Sequence, residues 1–148
     1  MGAGELRSGA TFRVGPWRVR VLSPSGPRPR GADPNPWSLV ALASAGPFDV
    51  LLTADAESDA LQHLVTGRVE VLKVSHHGSE DPGLAEELAR MRPRAALISA
   101  GEGNAFRHPR PETLDALAAA GVQAWRTDRS GDVTAVLDSG ALGVAGTR

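Results

Sequence analysis

The chain has 148 residues, the size of a single domain, with 41% hydrophobic and 22% charged residues, as in ordinary globular proteins. It contains no cysteine, which excludes disulfides and thiolate metal sites. The sequence shows no apolar run near the roughly 20 residues that span a bilayer, and its first residues lack the apolar core of a signal peptide.

Charge is unevenly distributed along the chain. The net charge is −1, yet residues 1–32 contain six arginines and a single acid, Glu5. The remainder holds ten basic and sixteen acidic residues. The basic segment has two interpretations, a solvated and partly disordered leader or an arm that binds phosphate groups.

The first half of the chain contains short segments rich in apolar residues, which predict strands. These predicted strands lie at residues 17–22, 37–43, 48–53 and 69–75. A loop with five prolines, residues 23–36, follows the first strand, and residues 44–47 form a hairpin connection. A helix is predicted at Glu57–Val65, closed by Gly67.

The second half alternates strands with helices. Further strands are predicted at residues 95–99, 122–126 and 133–137. A helix opened by Asp81 and Pro82 stops at Arg92, and Pro111 opens another that ends at Gly121. The residues of that last helix predicted to face inward are Leu114, Leu117 and Ala118.

This order of elements predicts an α/β fold: a mixed sheet with helices covering one face. We divide the chain into a basic leader with the first strand and the Pro-rich loop, residues 1–32, and an α/β unit, residues 33–138. Residues 139–148 are expected to form a flexible tail.

Polar side chains follow two predicted strands. Asp55 comes after the strand at 48–53, while His76 and His77 come at the end of the strand at 69–75. The carboxyl edge of an α/β sheet is where ligands bind, and a carboxylate beside imidazoles suggests half of a metal site. Asp55 could instead cap the following helix. Adjacent residues of an extended chain point apart, so one histidine would be the ligand and the other would contact substrate or orient its neighbour.

Other polar residues are candidates for contacts with an anion. Ser79 could cap a helix or donate to an anion, and Asn104, Arg107 and His108 lie together in a loop after a strand. Their side chains are suited to holding or protonating an oxyanion. Asp128 is better explained as a turn residue than as a catalytic one.

Five short motifs follow one another along the chain. They are Asn35-Pro-Trp-Ser-Leu-Val40, Leu51-Leu-Thr-Ala-Asp55, Leu72-Lys-Val-Ser-His-His-Gly-Ser79, Asn104-Ala-Phe-Arg-His-Pro109 and Thr127-Asp128 with Gly131. In this order they resemble the C-terminal half of a metallo-β-lactamase-fold domain, in particular the one attached to ComEC-type DNA-uptake (competence) membrane proteins. The His-His-Gly-Ser element is the most specific part of the resemblance.

The resemblance implies that residues 33–138 form the C-terminal half of an αββα sandwich with a site for two metal ions, zinc or manganese. Such a site hydrolyses phosphodiesters by metal-activated hydroxide, here in DNA and preferably in a single strand. Asp55 would bridge both ions, and His76 or His77 would be a further ligand. His108 would contact the scissile phosphate or assist the leaving group, with Asn104 and Ser79 beside it.

The sequence departs from the family pattern. Members carry an H-x-[H/S/D]-x-D-H motif in the first half of the domain, and residues 1–54 contain nothing similar. Ala54 replaces a glycine, and Phe106-Arg107 replaces a tyrosine-glycine pair. We therefore expect a soluble portion of a metal-dependent hydrolase of a membrane-attached family, inactive without its missing half, or a non-catalytic nucleic-acid- or protein-binding module on the same scaffold.

An incomplete sandwich has a physical consequence. The sheet face that would pack against the missing half is expected to be apolar and bare. We expect the missing half of the domain, or a second copy of this chain, to cover this face.

Overall fold

The computed structural model describes residues 6–64, 67–138 and 140–148. Its strands are β1 (Thr11–Val14), β2 (Trp17–Ser23), β3 (Val40–Ala45), β4 (Phe48–Leu52), β5 (Val71–Lys73), β6 (Ala95–Ile98), β7 (Gln123–Arg126), β8 (Val133–Asp138) and β9 (Ala141–Gly146). Its α-helices are α1 (Ser58–Leu61), α2 (Leu84–Met91), α3 (Pro111–Ala119) and α4 (Thr127–Ser130). Short 3₁₀ segments lie at Asn35–Trp37 and Ser75–Gly78.

A seven-stranded mixed sheet organises the fold, with its strands in chain order from β1 to β7. Strands β1 to β4 pair antiparallel, and β4 to β7 pair parallel. Parallel neighbours need crossover connections, and α1, α2 and α3 each lie in one of them. The predicted α/β fold with a mixed sheet is confirmed. No helix of the described part of the chain is long and apolar enough to cross a membrane.

The main core lies between the helices and one face of this sheet. A row of residues in register across β3 to β7 points toward the helices: Leu42, Leu51, Leu72, Ala96 and Ala124. From the helices, Leu61, Leu88 and Leu117 join the same cluster. In α2 the apolar residues Leu84, Leu88 and Met91 recur at helical spacing, which puts them all on the buried side.

The opposite side of the sheet, the second face, is also apolar. On this face Val50, Val71 and Ala95 are in register across β4 to β6, and Leu52 and Leu97 lie on either side of Lys73. Val71 and Ala95 are buried, whereas Leu52 remains 42% exposed. The second face is therefore largely apolar, as expected, but its central residues are buried and not exposed to solvent.

Residues 11–23 of the basic segment contribute two strands to the sheet. Strand β1 was not predicted, because its four exposed residues show no buried periodicity and only the pairing with β2 defines them. Val21 of β2 is buried, so this segment is integral to the fold. The strand predicted at residues 17–22 is confirmed as β2, and residues 11–14, for which the sequence predicts no element, form β1.

Some predicted helix boundaries also differ. The helix expected at Glu57–Val65 is observed only at Ser58–Leu61, and Val65 lies outside the described residues. Helix α2 begins at Leu84, because the Asp81 carboxylate accepts hydrogen bonds from the Ser58 backbone and hydroxyl as well as from the Gly83 backbone.

Three further expectations are corrected. In α3, Ala118 is exposed, and Thr113 faces inward with Leu117. Residues 127–130 form α4, not a simple turn. Residues 141–146, placed in a frayed tail, pair with β8 in a separate two-stranded sheet.

Adjacent leucines of β4 test which face of the sheet holds the main core. Leu51 is fully buried under the helices, so Leu51→Ala should lower the free energy of unfolding by about 2–5 kcal/mol. Leu52→Ala, on the exposed part of the second face, should lower it by less than about 1 kcal/mol. Urea denaturation at one protein concentration measures both, and equal losses would contradict the assignment.

Candidate functional site at the carboxyl edge of the sheet

The turns after β4 and β5 share an unusual backbone conformation. Ala54, His76 and His77 have φ angles of 48°, 44° and 57°, in the left-handed region that L-residues rarely adopt. The amide of His76 donates to the carbonyl of Ala54 over 3.0 Å and ties the two turns together. Such strain costs about 1–3 kcal/mol per residue and is concentrated at functional sites.

His77 is aimed at Asp55. Its Nδ1 donates to the carbonyl oxygen of Ser99 over 2.7 Å, which leaves Nε2 as the acceptor of the neutral ring. Nε2 lies 3.7 Å from Asp55 Oδ1. A carboxylate oxygen and an imidazole lone pair both accept, so a proton, a cation or a water molecule between them would stabilise this arrangement. A backbone carbonyl that fixes the second ring nitrogen is a common feature of metal-binding histidines.

His76 has different partners, although it is adjacent in sequence. Its Nδ1 donates to Glu57 Oε1 over 3.0 Å and lies 3.5 Å from the side-chain nitrogen of Asn35. Its ring is 5.7 Å from that of His108. The expectation of an extended backbone at the two histidines is wrong, but the two rings do point to different partners. Sequence reasoning missed Glu57, whose place at the start of α1 resembles ordinary helix chemistry.

Asp55 does not cap the following helix. Helix α1 has Glu57 at its N-cap position and no side-chain capping hydrogen bond. Beneath Asp55, Lys73 Nζ donates to the carbonyl of Ala54 over 3.3 Å. Burial lowers the pKa of Lys73 from its ordinary value, and the Asp55 carboxylate partly opposes that shift. Asp55 therefore faces the site and not the helix terminus.

Asn104 braces the loop at 101–109. Its side-chain nitrogen donates to the carbonyls of Gly101 and His108, at 2.9 and 2.7 Å, and its oxygen accepts from the His108 amide at 3.0 Å. Both ends of the amide are thus bonded to the loop backbone. The structure makes Asn104 a positioning residue for His108.

His108 occupies an environment that favours the neutral ring. Its Nδ1 is buried and has no hydrogen-bond partner among the described residues. Burial lowers its pKa below the ordinary 6.5, repulsion by Arg110 and by the rings of His76 and His77 when they carry a proton lowers it further, and Glu57 partly opposes the shift. The ring stacks on Phe106 with centroids 5.9 Å apart and planes 9° apart.

Gly78 brings the turn after β5 against the third loop. Its φ is 84°, and a Cβ there would lie 2.6 Å from Pro109 Cβ, so only glycine fits. The Arg110 amide donates to the Gly78 carbonyl over 2.8 Å. The Thr113 hydroxyl donates to the carbonyl of Ser79 over 2.6 Å. These bonds hold the loop that carries His108 beside the two histidines.

Ser79 and Asp128 have local roles. The Ser79 hydroxyl donates to the Glu80 carbonyl at 3.4 Å, and its side chain forms no hydrogen bond with the other candidate residues in the described part of the chain. Asp128 accepts two hydrogen bonds from Arg126, which lower the pKa of that carboxyl. This pairing favours the structural interpretation of Asp128.

The side chains present fit part of a metal coordination sphere. Asp55 and His77 converge with donor atoms suited to zinc or manganese. Within residues 6–64, 67–138 and 140–148, no three histidine or acidic side chains are arranged to hold an ion. A structural zinc takes about four ligands, so an ion held by Asp55 and His77 would need further ligands from water or from another polypeptide segment.

The low pKa of His108 has a measurable consequence. Between pH 6.5 and the folded-state pKa, the unfolded chain binds more protons than the folded chain at this residue, so stability should fall as pH drops through that window. NMR titration of the ring resonance, assigned with His108→Asn, should give a midpoint below 6.5. A midpoint at or above that value would contradict the described environment.

Comparison with known proteins places the sequence among three long relatives, while no family model matches it. It is 32% identical over 133 residues to "ComE operon protein 3" of Bacillus subtilis, covering 87% of this chain and 17% of that protein. It is 37% identical over 100 residues to "Recombination protein 2" of Haemophilus influenzae, covering 66% and 12%. It is 30% identical over 118 residues to "Competence protein ComA" of Neisseria gonorrhoeae, covering 76% and 17%. The chain is thus homologous to one segment, less than a fifth, of each of these proteins.

Proposed function

We propose that this chain is part of a competence (DNA-uptake) protein. We further propose that the site at the carboxyl edge of its sheet binds the phosphodiester backbone of DNA. The observation that carries the proposal is the convergence of Asp55 and His77 at neighbouring strand ends, with Nε2 and Oδ1 3.7 Å apart. This pair lies in a segment similar to proteins named for competence and recombination.

The chemistry of the site favours phosphodiester hydrolysis on a metallo-β-lactamase-like half-domain. A divalent ion, zinc or manganese, would be held by Asp55 and His77 and would supply a Lewis acid and an activated water. His76, oriented by Glu57 through Nδ1, keeps Nε2 for a phosphate oxygen or a bound water. His108, held by Asn104 and with a pKa lowered by burial, has its ring 5.7 Å from that of His76.

The proposed hydrolase is incomplete in this chain. Two protein ligands do not satisfy one metal ion, and the relatives are more than five times as long as the aligned segment. The exposed apolar side chains Phe12, Val14 and Leu52 mark where the second face could be covered by the missing half of the domain or by a second copy. We propose that activity requires that completion.

A second candidate is a binding module that needs no metal. On β1 and β2, Arg13 lies directly opposite Arg18, and Arg20 is on the same face, all three exposed. Like charges directly opposite each other destabilise a strand pair. A polyanion such as DNA would remove that repulsion and release counterions.

Titration calorimetry with zinc and with manganese tests the proposed ligands. We expect the chain to bind the metal, and Asp55→Ala and His77→Ala each to abolish binding. His76→Ala should retain it, because His76 is directed to Glu57. Asp115→Ala and His63→Ala, which alter exposed residues of the same types, are the matched controls. Absence of binding in the parent chain, or equal losses in the controls, would overturn the metal half-site.

Salt-dependent DNA binding tests the arginine pair. Replacing Arg13 and Arg18 by Gln should weaken binding and reduce the slope of log K against log salt by about 0.7 for each single-strand phosphate that the variant no longer neutralises. Arg94→Gln alters an exposed arginine before β6, at the opposite edge from the site, and should leave the slope unchanged. If this control and the double variant behave alike, the arginine pair does not bind DNA.

A further inference from the structure

Phe106 is the most exposed of the large hydrophobic side chains in the described residues, at 77%. Its ring lies nearly parallel to the imidazole of His108, with the ring centroids 5.9 Å apart, and most of its surface is open to solvent. An isolated exposed apolar residue needs no explanation. Phe106 is not isolated, because Arg107 and the proposed DNA site lie beside it.

The loop that carries Phe106 is held in place. Asn104 bonds the loop backbone on both sides of Phe106, at Gly101 and His108. Arg107, with φ of 58°, adopts a left-handed conformation that favours glycine, and its amide donates to the Asn104 carbonyl over 3.0 Å. The ring and the adjacent guanidinium are therefore presented together by a preorganised turn.

Positive charge lies beside the ring. Arg107 lines an open cavity of about 580 Å³ together with His108, Arg126 and Asp128. Asp128 neutralises Arg126 through two hydrogen bonds, whereas Arg107 forms no ion pair with the described side chains. The cavity thus offers uncompensated positive charge from Arg107 and room for a phosphate group.

We infer that Phe106 and Arg107 form a binding site for one nucleotide of a single-stranded nucleic acid. The base stacks on the exposed ring of Phe106, and a flanking phosphate binds the guanidinium of Arg107 in the cavity. A base within a duplex is stacked between its neighbours and has no free face, so the site selects single strands. This inference rests on the proposed function and deepens it by naming the two residues that hold one nucleotide of the single strand.

The test uses a short oligothymidylate with one 2-aminopurine and the matching duplex. Stacking on an aromatic side chain is worth about 1–3 kcal/mol per base, so Phe106→Leu should weaken single-strand binding at least about 5-fold. It should also abolish the quenching of 2-aminopurine fluorescence on binding. Phe106→Trp should preserve both, and Val136→Ala, at another exposed apolar residue, should change neither. Arg107→Gly, which suits the left-handed backbone, should reduce the salt slope by about 0.7.

The outcomes separate this inference from the proposed function. Circular dichroism melting first confirms that each variant folds. Single-strand binding that is unchanged in Phe106→Leu, or duplex binding reduced as much as single-strand binding, would overturn the nucleotide site and leave the DNA proposal standing. A parent chain that binds neither oligonucleotide would overturn both.

Discussion

The hydrogen bond from the His76 amide to the Ala54 carbonyl joins the turns after β4 and β5, and the geometry of the site depends on it. Parallel pairing of these strands brings their carboxyl ends to one edge, but it does not determine where the following side chains point. The left-handed backbone of Ala54, His76 and His77 does so, since it turns Asp55 and His77 toward each other. Local strain is thereby maintained by the rigid sheet beneath it.

The third loop is added by a separate set of contacts. Gly78 fits against Pro109 only because it has no side chain, and the backbone bond between Gly78 and Arg110 closes the junction. His108 is thereby placed beside His76, in surroundings that keep its ring neutral. The same loop presents Phe106 and Arg107 outward. One edge of the sheet thus combines potential metal ligands, a neutral imidazole and a cationic aromatic surface.

Much of this arrangement could be predicted from the sequence. Apolar segments that end near Asp55 and at His76-His77 predicted the strands and the sheet edge where these residues lie, because strand periodicity and turn residues are local signals. The specific partners could not be predicted in the same way. The pairing of His76 with Glu57 and the bonding of Asn104 within its own loop depend on side-chain directions set by left-handed residues. Strand β1 was not predicted because all four of its residues are exposed, and only its pairing with β2 identifies it as a strand.

The most direct measurement is paramagnetic broadening of backbone amide resonances by substoichiometric manganese. If Asp55 and His77 hold a divalent ion together, broadening should centre on these two residues and on Ser99, whose carbonyl orients His77. Amides near Arg94, at the opposite edge of the sheet, should remain sharp. Broadening centred on another acidic surface, or no broadening, would contradict the proposal that Asp55 and His77 bind a divalent ion at the site where DNA is proposed to bind.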